Sequence, residues 1–255
     1  MCGAPATSRE HIPPLCLFPE EKDVQTSMFR NNLITVPSCD LHNAKKSKDD
    51  EFLMANLAGI VGNNVIGFIH MQTKVKRALE RKGNNFLDAI MKDRLQSNLK
   101  GSSGKTYPVL IGKPDLPRLH SCFKHIAHGL YRHKFGSRFE GTSHILIDFV
   151  TYESEKAETY KLLCRKRFEM EPQKLQTEGN TPEIFKYEFF DPDEFGLIAM
   201  KMTFYNGAVV FVSFQPTTAK EPQNLMTELI KSGIPLSVFF DDGSQFYLNK
   251  EKGEV

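Results

Sequence analysis

The chain contains little cysteine: five residues among 255, at Cys2, Cys16, Cys39, Cys122 and Cys164. An odd number of widely spaced cysteines argues against a disulfide scaffold and favours a reducing compartment. We therefore expect a cytoplasmic protein. Its length is sufficient to bury a large core in one or two domains.

Long apolar runs are also missing. No stretch of about 18 consecutive apolar residues occurs, so we expect no transmembrane helix and no membrane partner. The polar residues Arg9, Glu10 and His11 stand where a signal peptide would need an apolar core, which argues against secretion. The chain also lacks internal repeats and long low-complexity tracts.

The net charge is only +2, but it is unevenly distributed. Residues 72–138 carry 15 basic and 4 acidic side chains, a net charge of +11, whereas residues 1–71 carry −2 and residues 139–255 carry −7. A basic middle segment in a nearly neutral chain indicates a surface that binds a polyanion. The alternative is that these side chains simply coat solvent-exposed helices.

The apolar pattern predicts an α+β protein in three parts. The first, residues 1–60, contains a short β-rich run at 33–36 that Pro37 ends, followed by helices beginning near Leu41 and Asp50. This order of strand and helix forms a unit too small for much of a core.

The other two parts differ in character. Residues 61–138 read as a basic helical segment, with helices over 64–100 and 117–135 and a flexible Gly-Ser-Ser-Gly linker at 101–104. Residues 139–255 read as a C-terminal mixed α/β domain with antiparallel strands, in which Asn206-Gly207 is the strongest hairpin signal.

Three fragments near the N-terminus combine into a chemical pattern. Glu10 and Asn43 offer hard oxygen ligands that suit Mg²⁺ or Mn²⁺. His11 suits a general base, because the reference pKa of histidine lies near neutrality. A base beside a divalent cation can hydrolyse a phosphodiester bond.

Supporting side chains surround these three residues. Because neighbouring residues of a strand point to opposite faces, Glu10 and His11 need a distortion or a brace. Asn32 or Asn31, just before the second strand, can brace them through backbone hydrogen bonds. The lysines after Asn43 are candidates for phosphate contacts: Lys45, Lys46 and Lys48.

The same fragments resemble an HNH endonuclease, the ββα-metal fold. The resemblance covers roughly residues 1–55 and rests on Glu-His-Ile-Pro-Pro at 10–14, Asn-Leu-Ile-Thr-Val-Pro at 32–37 and Cys-x-x-His-Asn-x-x-Lys-Ser-Lys-Asp-Asp at 39–50. It implies His11 as general base, Glu10 and Asn43 as ligands of the catalytic metal, and Asn32 as the bracing residue. Asn43 stands where many members have His, which makes this an H-N-N variant.

The resemblance also implies a structural zinc ion, which many HNH proteins bind through two C-x-x-C pairs. Cys39 and His42 match one pair, with His replacing a Cys, and Cys2 matches the second residue of the other pair. Its partner would lie before Met1. Either the chain begins too late, or three protein ligands suffice, or zinc is lost; Cys16 is a poorly placed substitute.

These features together predict a metal-dependent endonuclease that cuts DNA. The basic segment would hold the phosphate backbone, and the C-terminal domain would serve recognition, regulation or assembly, through self-association or a partner protein. Two alternatives stay open. One is a non-catalytic nucleic-acid-binding module that keeps the zinc-stapled fold, and the other is an interaction protein whose C-terminal sheet is the working part.

Overall fold

A computed structural model describes residues 6–24, 29–39, 47–101, 103–152, 154–170, 175–193, 195–219, 237–239 and 245–247. The chain is a mixed α+β protein, as the sequence predicts. Within the described residues, no helix has the length and hydropathy that crossing a membrane requires.

The N-terminal part contains two paired strands and several helices. Strand β1 (Ser8–His11) pairs antiparallel with β2 (Thr35–Ser38), and the connection holds a 3-10 turn (Leu15–Leu17) and the short helix α1 (Glu21–Val24). The helices that follow are α2 (Ser47–Ala58), α3 (Val65–His70), which continues through a π-helical turn (Met71–Val75) into α4 (Lys76–Lys82), and α5 (Asn84–Ile90).

The middle of the chain departs from the expected helical segment. Residues 91–100 form strand β3 (Met91–Lys100), which pairs with β4 (Thr106–Pro114), so the predicted helix over this stretch is wrong. The predicted Gly-Ser-Ser-Gly linker belongs to the loop between these strands. The four-residue spacing of Leu95 and Leu99 was read as helical. Residues four apart also lie on the same face of a strand, because side chains alternate with a period of two.

Helix α6 (Leu116–Phe135) confirms the other helical prediction. The Asp115 side chain caps it by accepting a hydrogen bond from the backbone N–H of Arg118, and Gly136 ends it in the left-handed conformation. Its buried face follows three- and four-residue steps through Leu119, Phe123, Ile126 and Leu130. Burying each such side chain stabilises the fold by about 1.5–3 kcal/mol.

The C-terminal part is organised by a five-stranded antiparallel sheet in the order β5-β9-β8-β7-β6. Its strands are β5 (Gly141–Ile147), β6 (Leu175–Thr181), β7 (Phe185–Phe190), β8 (Ile198–Phe204) and β9 (Ala208–Pro216). Helix α7 (Glu155–Met170) lies between β5 and β6 in the chain and was not predicted. Strands β10 (Ser237–Phe239) and β11 (Gln245–Tyr247) form a separate antiparallel pair.

The predicted Asn206-Gly207 hairpin is confirmed, because Phe204 of β8 pairs with Ala208 of β9. Tyr205 and Asn206 have positive φ angles of 48° and 57°. Gly207 lies against the 59–64 loop so closely that a Cβ atom there would be 2.5 Å from the carbonyl oxygen of Gly62. The turn therefore requires glycine for packing.

One large hydrophobic cluster joins these elements. It contains Ile12 and Val36 from the N-terminal part, Phe123 from α6, and Phe204 and Phe214 from the sheet. All three predicted parts therefore contribute side chains to a shared core, and their division into separate domains stays a prediction. A smaller cluster on the other face of the sheet contains Phe168 of α7 with Phe190 and Phe211.

Candidate active site

The β1–β2 hairpin carries the described residues of the predicted catalytic pattern. Glu10 pairs with Val36 and His11 with Thr35, and both Glu10 and His11 are half-buried. The ladder extends past the strands, since the Ile12 amide donates to the Ile34 carbonyl at 2.9 Å. Ordered hydrogen bonding therefore continues on both sides of His11, which fixes the backbone that carries a candidate base.

Glu10 and His11 belong to opposite faces of this hairpin. On the Glu10 face, Ser38 Oγ donates to Glu10 Oε2 at 3.3 Å, and Val36 on the same face is buried. A half-buried carboxylate with a hydroxyl donor is held in position while keeping lone pairs for further contacts. Glu10 thus fits the role of one hard oxygen ligand.

The face of the hairpin that carries His11 also carries Arg9. Arg9 Nε donates to Thr35 Oγ1 at 2.9 Å, although Arg9 itself is solvent-exposed. Arg9 and Thr35 also line a cavity of about 520 Å³ together with Asn32, His133 and Asn180. Sequence reasoning gave Arg9 no role, because a lone surface arginine carries no distinctive pattern.

This cavity includes a carboxylate whose charge is retained. Burial by itself raises the pKa of Glu178, but hydrogen bonds from Lys134 at 2.6 Å and from Tyr187 at 2.6 Å outweigh it and lower the pKa. Arg9 also lines the cavity, which therefore contains both charge signs. It is therefore less suited to a polyanion than a uniformly basic groove.

Asn32 lies three residues before β2 with a φ angle of 54°, in the left-handed region. Its main-chain carbonyl accepts a hydrogen bond from the side-chain amide of Asn180. This contact holds the turn that leads into β2. Bracing of His11 by the Asn32 side chain stays a prediction.

Several predicted site residues lie outside the described residues: Cys2, His42, Asn43, Lys45 and Lys46. Neither metal site can therefore be assembled from the described residues, among which no group of three His, Cys, Asp or Glu side chains has metal-binding geometry. Cys39 is described: it lies directly after β2, is half-buried and forms no disulfide bond.

Cys16 has a structural role here. Its thiol donates to the Asp50 carbonyl at 3.2 Å, and burial raises its pKa to about 12. Zinc binds the thiolate, so a thiol held in its neutral form by burial is a poor substitute ligand. Cys16 instead ties the segment after β1 to helix α2.

Helix α2 follows the undescribed residues 40–46 and packs against the 3-10 turn that follows β1. Arg118 of α6 holds its first turn, with Nε donating to Asp49 Oδ1 at 2.7 Å and Nη2 to the Lys48 carbonyl at 2.9 Å. In chain order the unit is strand, strand, helix. Glu10 and His11 lie at the end of its first strand, and the Cys39-to-Lys46 run lies between its second strand and its helix.

A second cavity, of about 440 Å³, begins at this helix and has three cationic side chains in its lining, two of which form ion pairs with carboxylates. Lys48, Lys82 and Arg118 line it with a single acidic side chain, Glu51, and with apolar side chains that include Ile90. Of the predicted phosphate-contacting lysines, Lys48 is therefore the one with described surroundings. Lys82 and Arg118 were missed, because they come from helices distant in sequence.

Packing against helix α6 fixes the position of the β1–β2 hairpin. A Cβ atom on Gly129 of α6 would lie 2.8 Å from Ile12 Cδ1, so glycine allows Ile12 to approach the helix closely. Ile12 directly follows His11 and is almost fully buried. The position of the candidate base is thus tied to the central helix of the molecule.

Searches of protein-family models, of curated proteins and of solved structures found no match to this chain.

Proposed function

We propose that the chain is a metal-dependent endonuclease that hydrolyses phosphodiester bonds of DNA, with His11 as general base. The observation that carries the proposal is the half-buried Glu10-His11 pair at the end of β1, in a strand-strand-helix unit. Glu10 and Asn43 would hold one Mg²⁺ or Mn²⁺ ion. When bound, such an ion supplies positive charge for the oxyanion that develops at the phosphate.

Three residues of the chain have further roles in this proposed reaction. His11 takes a proton from a water molecule, whose oxygen then forms a bond to phosphorus while the bond to the leaving oxygen breaks. Ser38 orients Glu10 by donating a hydrogen bond to its carboxylate. Ile12, buried against α6, keeps the end of β1 in place, so that His11 stays aimed at the scissile bond.

A structural Zn²⁺ bound by Cys2, Cys39 and His42 is a separate part of the proposal. Such an ion would tie residues before β1 to residues after β2 and would stabilise the hairpin. Of these residues only Cys39 has described surroundings: it is half-buried and lies directly after β2.

Plasmid cleavage with added Mg²⁺ or Mn²⁺ tests the catalytic assignment. Removing a general base lowers the rate by about 10²- to 10⁴-fold, and we expect this loss for His11→Ala. His144→Ala, which changes an exposed histidine on β5, serves as the matched control and should cleave like the parent. Equal cleavage by His11→Ala and the parent would refute the assignment.

A non-catalytic nucleic-acid-binding module predicts a different result in the same assay. It binds DNA without cleaving it in either metal, and its binding is unchanged by Glu10→Ala. Binding should therefore be measured on the same protein samples as cleavage.

A further inference from the structure

The β3–β4 hairpin presents a row of apolar side chains to solvent. Register places Leu95 opposite Ile111, Ser97 opposite Val109, and Leu99 opposite Tyr107, all on one face. We call the apolar members of this face the apolar strip: Leu95, Leu99, Tyr107, Val109 and Ile111. Leu95 is 69% exposed and Ile111 is 56% exposed.

Such a strip requires an explanation. A two-stranded hairpin alone is only marginally stable in water, and natural proteins rarely expose contiguous apolar surface without a binding role. At its base this hairpin is anchored, since Met91 packs against the main core. Beyond that base, the described part of the chain leaves most of the strip uncovered.

Cations flank the strip at both ends. Lys92 and Lys113 face each other at the base, and Lys100 and Lys105 lie at the tip, all four of them exposed. Two carboxylates offset this charge at the base: Asp93 lies 3.9 Å from the Lys113 ammonium, and Asp88 pairs with Arg94. Residues 91–114 carry five basic and one acidic side chain, a net charge of +4.

The base of the hairpin also adjoins the cavity lined by Lys48, Lys82 and Arg118. Ile90, the residue before β3, lines that cavity. Arg118 lies in the first turn of α6, directly after β4. Basic side chains therefore lie at the start of α2, in the cavity, and at the base and tip of the hairpin, and those of Lys82 and Arg118 are paired with carboxylates.

We infer that the β3–β4 hairpin is an arm that lies in a groove of double-stranded DNA, an inference that rests on the proposed nuclease function. The major groove admits a two-stranded β-ribbon. Nine or ten extended residues span roughly 30 Å, close to one turn of the duplex, so the two lysine clusters can reach phosphates at both ends of the groove. Apolar side chains between them contact thymine methyl groups or base edges.

Charge favours DNA over a second copy of the chain. If two hairpins packed strip against strip in parallel, tip lysines would face tip lysines. If they packed antiparallel, Lys100 and Lys105 would face Lys92 and Lys113. Either arrangement brings like charges together at both ends, which costs binding free energy. A polyanion neutralises the same side chains.

Fluorescence anisotropy with a labelled duplex, in buffer without added Mg²⁺ or Mn²⁺ so that metal-dependent cleavage is not supported, tests the arm. Lys100→Gln/Lys105→Gln should weaken binding about ten- to hundredfold at ~0.1 M salt and reduce the slope of log affinity against log salt by about 2. The matched control Lys22→Gln/Lys166→Gln removes two exposed lysines elsewhere and should change both quantities little.

The strip is tested separately from the charge. Leu95→Ser/Ile111→Thr should weaken binding by about tenfold with the salt slope unchanged, because no phosphate contact is removed. Circular dichroism and a thermal melt check that both hairpin variants fold. If both variants bind the duplex like the control, the arm is refuted.

Two further results separate this inference from its alternatives. If sedimentation shows that the parent is a dimer and Leu95→Ser/Ile111→Thr a monomer, the strip is a self-association surface and the arm is refuted. If the hairpin variants lose binding as expected while the parent never cleaves DNA, the arm stands and the nuclease assignment fails. If His11→Ala abolishes cleavage and the hairpin variants bind normally, the nuclease assignment stands and the arm is refuted.

Discussion

The molecule contains two-stranded ribbons of opposite character, β1–β2 and β3–β4. The first is rooted in the core: Val36 is buried and Ile12, beside it, is 3% exposed against α6. In the second, β3–β4, the isoleucine on the apolar face, Ile111, is 56% exposed. A two-stranded ribbon needs something to pack against, so the first is completed within the chain, while the second calls for a partner outside it.

The difference between the two ribbons also matches the different requirements of catalysis and of DNA binding. A catalytic base must be held rigidly, and the core on one side of β1–β2 provides that support. A DNA-gripping arm must reach into solvent and needs accessible charge, which β3–β4 provides. In our account, chemistry therefore belongs to the first ribbon and binding to the second.

The largest expected effect is a contrast in stability between two isoleucines. Ile12→Ala should lower the free energy of unfolding by about 2–5 kcal/mol, because it leaves a cavity between β1 and α6. Ile111→Ala, with the same chemical change on the exposed strip, should lower it by less than about 0.5 kcal/mol. Urea denaturation of both variants checks this, and equal losses would mean that β3–β4 is as well packed as β1–β2.

A pH effect should arise from buried histidines, which the exposed ribbon lacks. Burial lowers the pKa of His70 to about 4, and its Nε2 lies 3.0 Å from the Cys16 carbonyl oxygen. The unfolded chain takes up a proton near pH 6.5 and the folded chain does not, so the free energy of unfolding falls as pH drops from about 6.5 towards 4. At pH 5 the loss from His70 is about 2 kcal/mol.

His128 acts in the same direction, since burial also lowers its pKa to about 4. It lies 2.8 Å from Ser143 Oγ and is partly exposed, so its share is smaller. Urea midpoints at pH 7.5 and about pH 5 measure the combined effect. His70→Gln should flatten the pH dependence, and an unchanged slope in that variant would remove His70 from the explanation.

A third hairpin, β8–β9, tests whether close packing of its turn contributes to stability. Gly207→Ala should lower the free energy of unfolding by about 1–3 kcal/mol, because the added methyl group meets the backbone of Gly62 and Asn63. Gly62→Ala is the control, since a Cβ atom there has nothing within 4 Å. Equal thermal midpoints for the two variants would show that the turn can move away.

Sequence reasoning predicted the regular elements with strong local signals. Helix α6 has a capping Asp115, a strict apolar stripe and a terminal Gly136, and the β8–β9 hairpin has Asn206-Gly207. Helix α7 was missed because its stripe is narrow: Cys164 and Phe168 face the sheet, while Leu162 and Leu163 are exposed. Helix α7 is therefore stabilised mainly by packing against the outer face of the sheet, which local sequence does not show.

The candidate site was only partly readable for a similar reason. The Glu10-His11 dipeptide could be found in the local sequence, whereas its strand was expected only from the resemblance to the ββα-metal fold. The contribution of Arg118, which holds the start of α2 through Asp49, could not, because 69 residues separate the pair. Such contacts depend on how helices cross, and no local pattern encodes that. The failed helix at 91–100 has the opposite cause, since apolar residues four apart fit both periods.

Single-turnover cleavage of a duplex, with binding measured on the same samples, tests the central division between the two ribbons. His11→Ala should lower the cleavage rate by about 10²-fold or more while leaving affinity unchanged. Lys100→Gln/Lys105→Gln should weaken affinity while leaving the rate at saturating protein close to that of the parent. A His11→Ala variant that cleaves at the parental rate, or hairpin variants that lose rate but not affinity, would contradict the account.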